Sequence, residues 1–250
     1  MFSEETKQCL AATFQKAIRG YHMVNDAPVK EAVWEDLNVL VLQHSDCPVE
    51  EQSRGSHKPG ADITCSLGRF SNKSSTVNAD KASFDISSYR LTTVCSAANH
   101  GTPEGVIKEI DRRKDFEYYS ILLRDDKPTA DEQPVQPAVQ TEPAAAQSSV
   151  DELEYKWLLI PANYGAFDPS QYEWTLQQGK TARTRDTTTG WSTNVLHGSS
   201  MKVTFSMSSQ LWIHVGMTAE KMQEFTVGCC RVKVGRTMDY VSLFEKVAEV

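Results

Sequence analysis

Residues 55–90 read GSHKPGADITCSLGRFSNKSSTVNADKASFDISSYR. Short apolar or alternating runs within this stretch predict consecutive strands. The runs are 61–65, 70–77 and 83–86. A Pro-Gly turn signal precedes the first strand, which places Asp62 near its beginning, while Lys73 lies in the second strand and Asp85 in the third. Adjacent strands can bring Asp62 and Lys73 to one side of a sheet, although eleven positions separate them.

Helical periodicity flanks this stretch on both sides. Apolar residues recur at three- and four-residue steps over residues 4–20, and Pro28 begins a second helical pattern that carries Glu35. After the strands, a helix capped by a serine is predicted from about Ser87. Another helix begins at Pro103 and ends in basic residues, which suit the helix dipole.

The second half of the chain predicts mostly strands. Buried strands are expected from YYSILL at 118–123 and YKWLLIP at 155–161. Residues 202–215 predict a strand pair or one long bent strand, residues 219–225 an amphipathic helix, and residues 229–234 a last strand. Helices and strands alternate irregularly, so the expected fold class is α/β or α+β, with a mixed sheet flanked by helices.

The chain has 250 residues, a length that suits one large domain or two small ones. Residues 127–150 are rich in Pro, Ala and Gln, lack aromatic residues and show no apolar periodicity. This composition predicts a flexible, disordered linker or insertion. It separates residues 1–126 from residues 151–250, and the two parts form either one domain or two.

Charge and cysteine content restrict the class of protein. A formal net charge of -7 does not indicate nucleic-acid binding, although local basic patches can bind phosphates on an acidic protein. The six cysteines form no C-x-x-C pair, so reduced thiols are expected. No apolar run is long enough to span a bilayer, and the first residues, MFSEETKQ, show no signal-peptide pattern. We therefore expect a cytoplasmic protein without a membrane partner.

Several common catalytic motifs are absent from the sequence, namely the phosphate loop, G-x-G-x-x-G, H-E-x-x-H and G-x-S-x-G. Asp62 and Lys73, together with a second acid, are instead typical of metal-dependent phosphodiester hydrolysis. Paired carboxylates can hold Mg²⁺, which lowers the pKa of bound water and polarises the phosphate. The lysine would orient or help to deprotonate this water and stabilise the transition state.

A helix with Glu35, followed by PGADI at 59–63 and SNK at 71–73, resembles the PD-(D/E)xK nuclease superfamily and, within it, the type II restriction endonucleases. The second motif is usually D/E-x-K, and Ser71 stands at its acidic position. One branch of the restriction enzymes has a similar S-x-K, and there a following segment or the first helix supplies the missing carboxylate. The resemblance thus leaves Asp85 and Glu35 as alternatives for the second carboxylate.

The resemblance implies a restriction-endonuclease-like mixed sheet and a Mg²⁺-dependent, sequence-specific endonuclease of double-stranded DNA. Residues 1–126 would be its catalytic core with N-terminal helices, and residues 151–250 its remaining core strands and DNA-recognition elements. A homodimer is also implied, since two active sites on a palindromic sequence cut both strands. The catalytic candidates are Asp62, Lys73, Asp85, Glu35 and Ser71, of which Asp62, Asp85 and Glu35 are the candidate metal ligands.

Candidate DNA contacts lie in both halves of the chain. They are Ser88, Arg90, Lys180, Arg183, Arg185, Asn194, Ser208 and Gln210. The first two either bind a phosphate or act as a helix cap and a surface ion pair. Lys180, Arg183 and Arg185 belong to a polar, basic loop with Asn194 nearby. This loop either enters a DNA groove, where Arg reads guanine and Asn reads adenine, or is a solvated hairpin loop. The last two offer hydrogen bonds from a strand edge or bond internally.

Two other functions remain as alternatives. A repair or nicking nuclease of the same superfamily would act as a monomer with the same catalytic residues. A non-enzymatic interaction module would use the linker to join two small α+β domains. An enzyme acting on a small molecule is disfavoured, because the sequence carries no recognisable cofactor motif.

Overall fold

The computed structural model describes residues 3–53, 60–126, 151–180 and 186–234. The helices are α1 (Glu4–Val24), α2 (Glu31–Gln43), α3 (Pro103–Arg113), α4 (Ser206–Ser209) and α5 (Ala219–Phe225). The strands are β1 (Val49–Gln52), β2 (Ile63–Cys65), β3 (Gly68–Thr76), β4 (Ser83–Arg90), β5 (Tyr118–Asp125), β6 (Asp151–Pro161), β7 (Trp174–Gln178), β8 (Thr188–Thr193), β9 (Ser200–Thr204), β10 (Gln210–Gly216) and β11 (Thr226–Val234). Two short 3₁₀ helices, Gly165–Phe167 and Pro169–Gln171, follow β6.

The strands form two sheets. The mixed sheet has the order β1-β2-β3-β5-β6-β11, in which β3 and β5 are parallel and all other neighbours are antiparallel. The antiparallel sheet has the order β4-β10-β9-β8-β7. The chain leaves the mixed sheet after β3, adds β4 to the antiparallel sheet and returns through α3 to β5. An α+β protein with a mixed sheet is thereby confirmed.

The mixed sheet lies between two apolar clusters. One cluster joins it to α1 and α2 and includes Leu10, Phe14, Trp34, Phe70 and Trp157. The other joins it to the antiparallel sheet and α3 and includes Ile86, Ile110, Tyr119, Val203 and Ile213. The layers are therefore helices, mixed sheet and antiparallel sheet, with a core on each side of the mixed sheet.

β5 illustrates why its sequence suits the central position. Tyr119, Ile121 and Leu123 belong to the cluster shared with the antiparallel sheet. Leu122 belongs to the cluster beneath the two N-terminal helices. Because successive side chains of a strand point to opposite faces, a strand buried on both faces needs a continuous apolar run rather than an alternating one.

The two halves of the chain share both sheets. β5, before residues 127–150, pairs with β6, after them, from Tyr118↔Pro161 to Asp125↔Glu154. β4 likewise pairs with β10 in the antiparallel sheet. The predicted linker or insertion, residues 127–150, lies outside the described residues.

The helix predicted from about Ser87 is wrong. β4 continues through Ser87 to Arg90, and residues 91–99 form turns and bends. Trp212 of β10 lies opposite Ser87, and Gln210 lies opposite Arg90. This long-range pairing overrides the local serine cap signal, since strand preference depends on the partner strand.

Most other predicted elements are confirmed, with small changes at their ends. α2 begins at Glu31 rather than at Pro28, because the backbone of Lys30 is still extended, with φ −100° and ψ 168°. Residues 202–215 form the strand pair β9 and β10, separated by the short helix α4.

All six cysteines lie within the described residues, and their thiols are free. Cys47, Cys65, Cys95 and Cys230 are buried, and burial raises the pKa of each thiol. Such thiols pack as small apolar groups and are poor nucleophiles. No helix of the described part of the chain is long and apolar enough to cross a membrane.

A close approach of α1 to β11 occurs at Gly228. A Cβ atom added there would lie 2.7 Å from Cδ1 of Phe14. The ring of Phe14 lies 5.9 Å from the ring of Trp34 and 5.9 Å from that of Trp157, measured between centroids. The glycine therefore allows α1 to seat an aromatic cluster directly on the sheet.

The substitution Gly228→Ala should lower the free energy of unfolding by about 1–3 kcal/mol, because the added methyl group displaces Phe14 from its cluster. Gly20→Ala in α1 is the matched control, since nothing lies within 4 Å of a Cβ atom there. It should stabilise the protein by about 0.5–1 kcal/mol. Urea denaturation followed by circular dichroism measures both changes. A Gly228→Ala variant as stable as the parent would contradict this packing.

Candidate active site

Asp62 is fixed at the beginning of β2 by its own backbone. Its N–H donates to the carbonyl of Phe70 at 2.8 Å, and its carbonyl accepts from Ser53 N at 2.9 Å. Gly60, two residues earlier, has φ +125°, a conformation that residues with a Cβ atom rarely adopt. The chain therefore bends at Gly60, just before Asp62 reaches the edge of β3.

The carboxylate of Asp62 is oriented by two residues of β3. Its Oδ2 accepts the backbone N–H of Asn72 at 2.7 Å and the hydroxyl of Ser71 at 3.2 Å. Its Oδ1 accepts no hydrogen bond within the described part of the chain. Ser71, at the position where the related motif usually has an acid, acts here as a donor that fixes the neighbouring acid.

Lys73 lies beside this carboxylate with its side chain only 11% exposed. Its Nζ is 3.1 Å from Glu31 Oε1 and 4.0 Å from Asp62 Oδ2, and it donates to the carbonyl of Asn72 at 2.5 Å. Burial lowers the pKa of Lys73, but the charges of Glu31 and Asp62 outweigh it, so the net pKa is raised. Lys73 is therefore an ammonium ion held between carboxylates.

The N-terminal turns of α2 contribute two carboxylates to the same region. Glu31 and Glu35 are four residues apart, so they lie on the same face of the helix. Burial, together with the negative charges of Asp62 and Glu31, raises the pKa of Glu35 to about 7. Asp36, by contrast, is solvent-exposed and accepts a hydrogen bond from Gln52.

A buried polar network attaches α2 to the sheet. The Asn38 side-chain amide donates to Asn72 Oδ1 at 2.7 Å and to the hydroxyl of Ser120 at 2.8 Å. The indole of Trp157 also donates to Ser120, at 2.9 Å. Because Asn38 sits two turns after Glu31, this network fixes where the acidic end of the helix meets Lys73.

A cavity of about 260 Å³ opens where the elements converge. Asp62, Glu31 and Lys73 line one part of it, and Ser88 and Arg90 from the end of β4 line another. A larger groove of about 810 Å³ adjoins α2 and β1 and is lined in part by Glu35. The smaller cavity contains the predicted Asp62–Lys73 pair and is the candidate active site, because it combines these groups with cations on the facing elements.

Asp85 does not line this cavity. It lies on β4 in the antiparallel sheet, where its carboxylate is 2.9 Å from Nδ1 of His214 and accepts from Asn78 at 3.3 Å. Glu35 does not line this cavity either and faces the adjoining groove. Of the two alternatives for the second carboxylate, however, Glu35 is the one close enough to Asp62 for its pKa to be raised by that charge, while Asp85 has other partners.

The predicted DNA contacts are divided between the cavity and the antiparallel sheet. Ser88, Arg90 and Gln210 line the cavity, and Gln210 donates its side-chain amide to the carbonyl of Ser88 at 2.9 Å. Gln210 therefore bonds internally, between β4 and β10.

The other DNA candidates lie along the antiparallel sheet. Lys180 is exposed in the β7–β8 connection, and Ser208 is exposed between β9 and β10. Asn194 lies at the opposite end of the β7–β8 hairpin, where its side chain accepts from Glu173 N at 3.1 Å. Arg183 and Arg185 lie outside the described residues.

Sequence reasoning missed Glu31 and Arg113, both of which line the cavity. For Glu31 a signal exists, since a second acid four residues before Glu35 predicts a shared helix face. For Arg113 the basic end of α3 suggested only an interaction with the helix dipole. The sequence contains no signal that places this end of the helix beside β3 and β4.

Comparisons of the chain with protein-family models, with curated proteins and with solved structures find no match. The fold class alone does not determine a function. Function has to be inferred from the chemistry of this cavity.

Replacing Lys73→Met should lower the free energy of unfolding by about 3 kcal/mol, because Glu31 and Asp62 lose the cation between them. Adding Glu31→Gln should recover part of this loss by removing one uncompensated carboxylate. The control is Lys81→Met, which breaks the more exposed pair with Asp125 and should cost less than about 1 kcal/mol. Urea denaturation measures all variants, and equal losses for the two lysines would refute this role of Lys73.

Glu109 of α3 should make the stability depend on pH in acid. Hydrogen bonds from Arg112 and Arg113 lower its pKa to about 2 despite its burial, whereas an unfolded glutamate titrates near 4.3. The folded pKa is the lower one, so ionised Glu109 stabilises the protein above about pH 4.3, and this contribution disappears as the pH falls toward 2.

Glu109→Gln should therefore lower the free energy of unfolding at pH 7. Between about pH 4.3 and 2, the acid limb of the stability curve, this variant should lose less stability than the parent. The exposed Glu104→Gln, in the first turn of the same helix, serves as the control and should leave the acid limb unchanged. Thermal unfolding across this pH range measures the effect. An acid limb in Glu109→Gln as steep as in the parent would show that the pairing does not stabilise the fold.

Proposed function

We propose that the protein is a Mg²⁺-dependent, sequence-specific endonuclease of double-stranded DNA, similar to the type II restriction enzymes. The observation that carries this proposal is the buried ammonium of Lys73, bonded to Glu31 and 4.0 Å from the oriented carboxylate of Asp62. The cavity beside these groups also has arginine side chains in its lining. An acid, a lysine and flanking cations are what hydrolysis of a phosphodiester requires.

The carboxylates fit a hard divalent cation. Within the described residues no group of three or more His, Cys, Asp or Glu side chains is arranged to hold a metal. Mg²⁺, however, commonly binds through one or two carboxylates, with water and substrate phosphate completing its shell. Asp62 Oδ1 accepts no hydrogen bond from described residues, and the charge of Asp62 raises the pKa of Glu35. A cation held by Asp62 and Glu35 would relieve that repulsion, and it would activate water and polarise the phosphate.

Lys73 acts in this proposal as a fixed positive charge. Its pKa is raised, so it remains protonated and does not accept a proton from water. An ammonium ion at this position orients the attacking water by hydrogen bonding and stabilises the negative charge that develops on the phosphate. Glu31 holds Lys73 in place, and Ser71 holds Asp62.

The arrangement of strands supports a restriction-endonuclease-like core. Asp62 directly precedes β2, Lys73 lies in its antiparallel neighbour β3, and β5 follows in parallel to β3 after the α3 crossover. The pairing Gln177↔Gly190↔Thr204↔Gln210↔Arg90 runs across one end of the antiparallel sheet. The basic β7–β8 connection with Lys180 lies at that end, so DNA bound in the cavity would extend toward it. The homodimer belongs to the same proposal.

The test is incubation of the purified protein with long genomic DNA of mixed sequence, in Mg²⁺ and in EDTA. We expect discrete DNA fragments when Mg²⁺ is present and none in EDTA. Asp62→Asn keeps the shape of the side chain but loses its charge, so this variant should cleave DNA at a rate at least about a hundredfold lower than the parent. Asp36→Asn is the matched control, since Asp36 is an exposed acid with no place in the cavity, and it should cut like the parent.

Two further variants distinguish the candidate second carboxylates. Glu35→Gln should abolish cleavage, whereas Asp85→Asn should retain it. The reverse result would assign the second carboxylate to Asp85. Intact DNA under all conditions would reject the nuclease, and single-strand nicks without fragments would favour a nicking enzyme of the same superfamily.

A further inference from the structure

Arg113 is a nearly buried cation that faces the cavity. Its side chain is 13% exposed, and its Nε donates to Glu109 Oε1 at 2.7 Å. Its two terminal NH₂ groups make no hydrogen bond to any described residue. A guanidinium anchored through Nε keeps its outer edge available as a planar fork of donors.

Glu109 holds this guanidinium rigidly. The Glu109 carboxylate, 9% exposed, also accepts two hydrogen bonds from Arg112 and one from the hydroxyl of Thr93. With these partners, Glu109 keeps a fixed position and does not itself enter the cavity. Arg112 shares Glu109 but is 55% exposed and does not line the cavity.

Other donors surround the outer edge of Arg113. Arg90 lines the same cavity at the end of β4. The hydroxyl of Ser88 is buried there, beside the hydroxyls of Tyr89 and Tyr119. Guanidinium donors that line a polar cavity need acceptors, so the free edge of Arg113 indicates that an acceptor group belongs between it and Arg90.

We infer that Arg113, with Ser88 and Arg90, forms an oxyanion subsite that binds a phosphate group in the cavity. The volume of about 260 Å³ holds a phosphate with its ester oxygens and some water, since a water molecule takes about 30 Å³. Guanidinium and phosphate form charge-assisted, often paired hydrogen bonds, which makes phosphate the matching ligand. That this phosphate belongs to DNA, next to Asp62 and Lys73, rests on the proposed function.

Inorganic phosphate is the probe for the subsite. Thermal unfolding of the whole protein is followed against phosphate concentration at constant ionic strength, without divalent cations or DNA. Phosphate should raise the melting temperature of the parent and of Lys108→Met, an exposed cation of the same helix, along the same titration curve. Arg113→Met should bind phosphate at least roughly tenfold more weakly, because hydrogen bonds to a charged ligand are lost.

Two more variants separate anion binding from a structural role. Arg113→Lys keeps the charge and should restore part of the affinity. Glu109→Gln, outside the cavity, should weaken phosphate binding by loosening Arg113. Each melting temperature without phosphate reports the effect on folding alone. Equal phosphate affinity in Lys108→Met and Arg113→Met, or no phosphate effect on the parent, would overturn the subsite.

DNA cleavage separates this inference from the proposed function. If the parent cuts DNA, Arg113→Met should raise KM or lower the cleavage rate at least roughly tenfold, while Lys108→Met does not. If Arg113→Met cleaves DNA like the parent, and phosphate does not raise the melting temperature of the parent, the subsite is rejected and the proposed nuclease activity stands. Phosphate binding through Arg113 without any DNA cleavage would keep the subsite and reject the nuclease.

Discussion

The buried ammonium of Lys73 is the constraint on which the arrangement of the site depends. Removing such a charge from water costs several kcal/mol unless carboxylates and carbonyls surround it. Its neighbours come from three places in the chain, namely Glu31 of α2, Asp62 before β2 and the carbonyl of Asn72 on β3. α2 cannot slide along the sheet without separating Glu31 from Lys73, so this charge also helps to fix the helix layer.

β3 connects the helix layer to the cavity, because its successive side chains point to opposite faces of the sheet. Asn72 bonds to Asn38 of α2, whereas Ser71 and Lys73, on the other face of the strand, contact Asp62 and line the cavity. On that second face, β4 and α3 end at the cavity and contribute Ser88, Arg90 and Arg113. The site thus lies where the helices, the mixed sheet and the antiparallel sheet meet, and every layer contributes a charged or hydroxyl side chain.

The Asp62–Lys73 pair was predictable because both residues lie on neighbouring strands joined by a short turn, so local patterns suffice to align them. The continuation of β4 to Arg90 could not be predicted, because the hydrogen bonds that extend this strand come from β10, far away in the sequence. For the same reason Arg113 could only be assigned to the end of a helix. Asp85 and Glu35 remained equal in the sequence, because the register that pairs Asp85 with His214 is also a long-range property.

Under the proposed function, the distribution of charge accounts for how a chain with a net charge of -7 would bind a polyanion. Asp62 and Glu31 would repel a phosphate until a divalent cation binds beside them, whereas Arg90 and Arg113, which line the same cavity, would attract it. Phosphate and cation would then bind cooperatively, each reducing the electrostatic cost of the other. Because this attraction would be local, it would depend on the cavity geometry and not on the overall charge, so the negative net charge does not exclude the proposal.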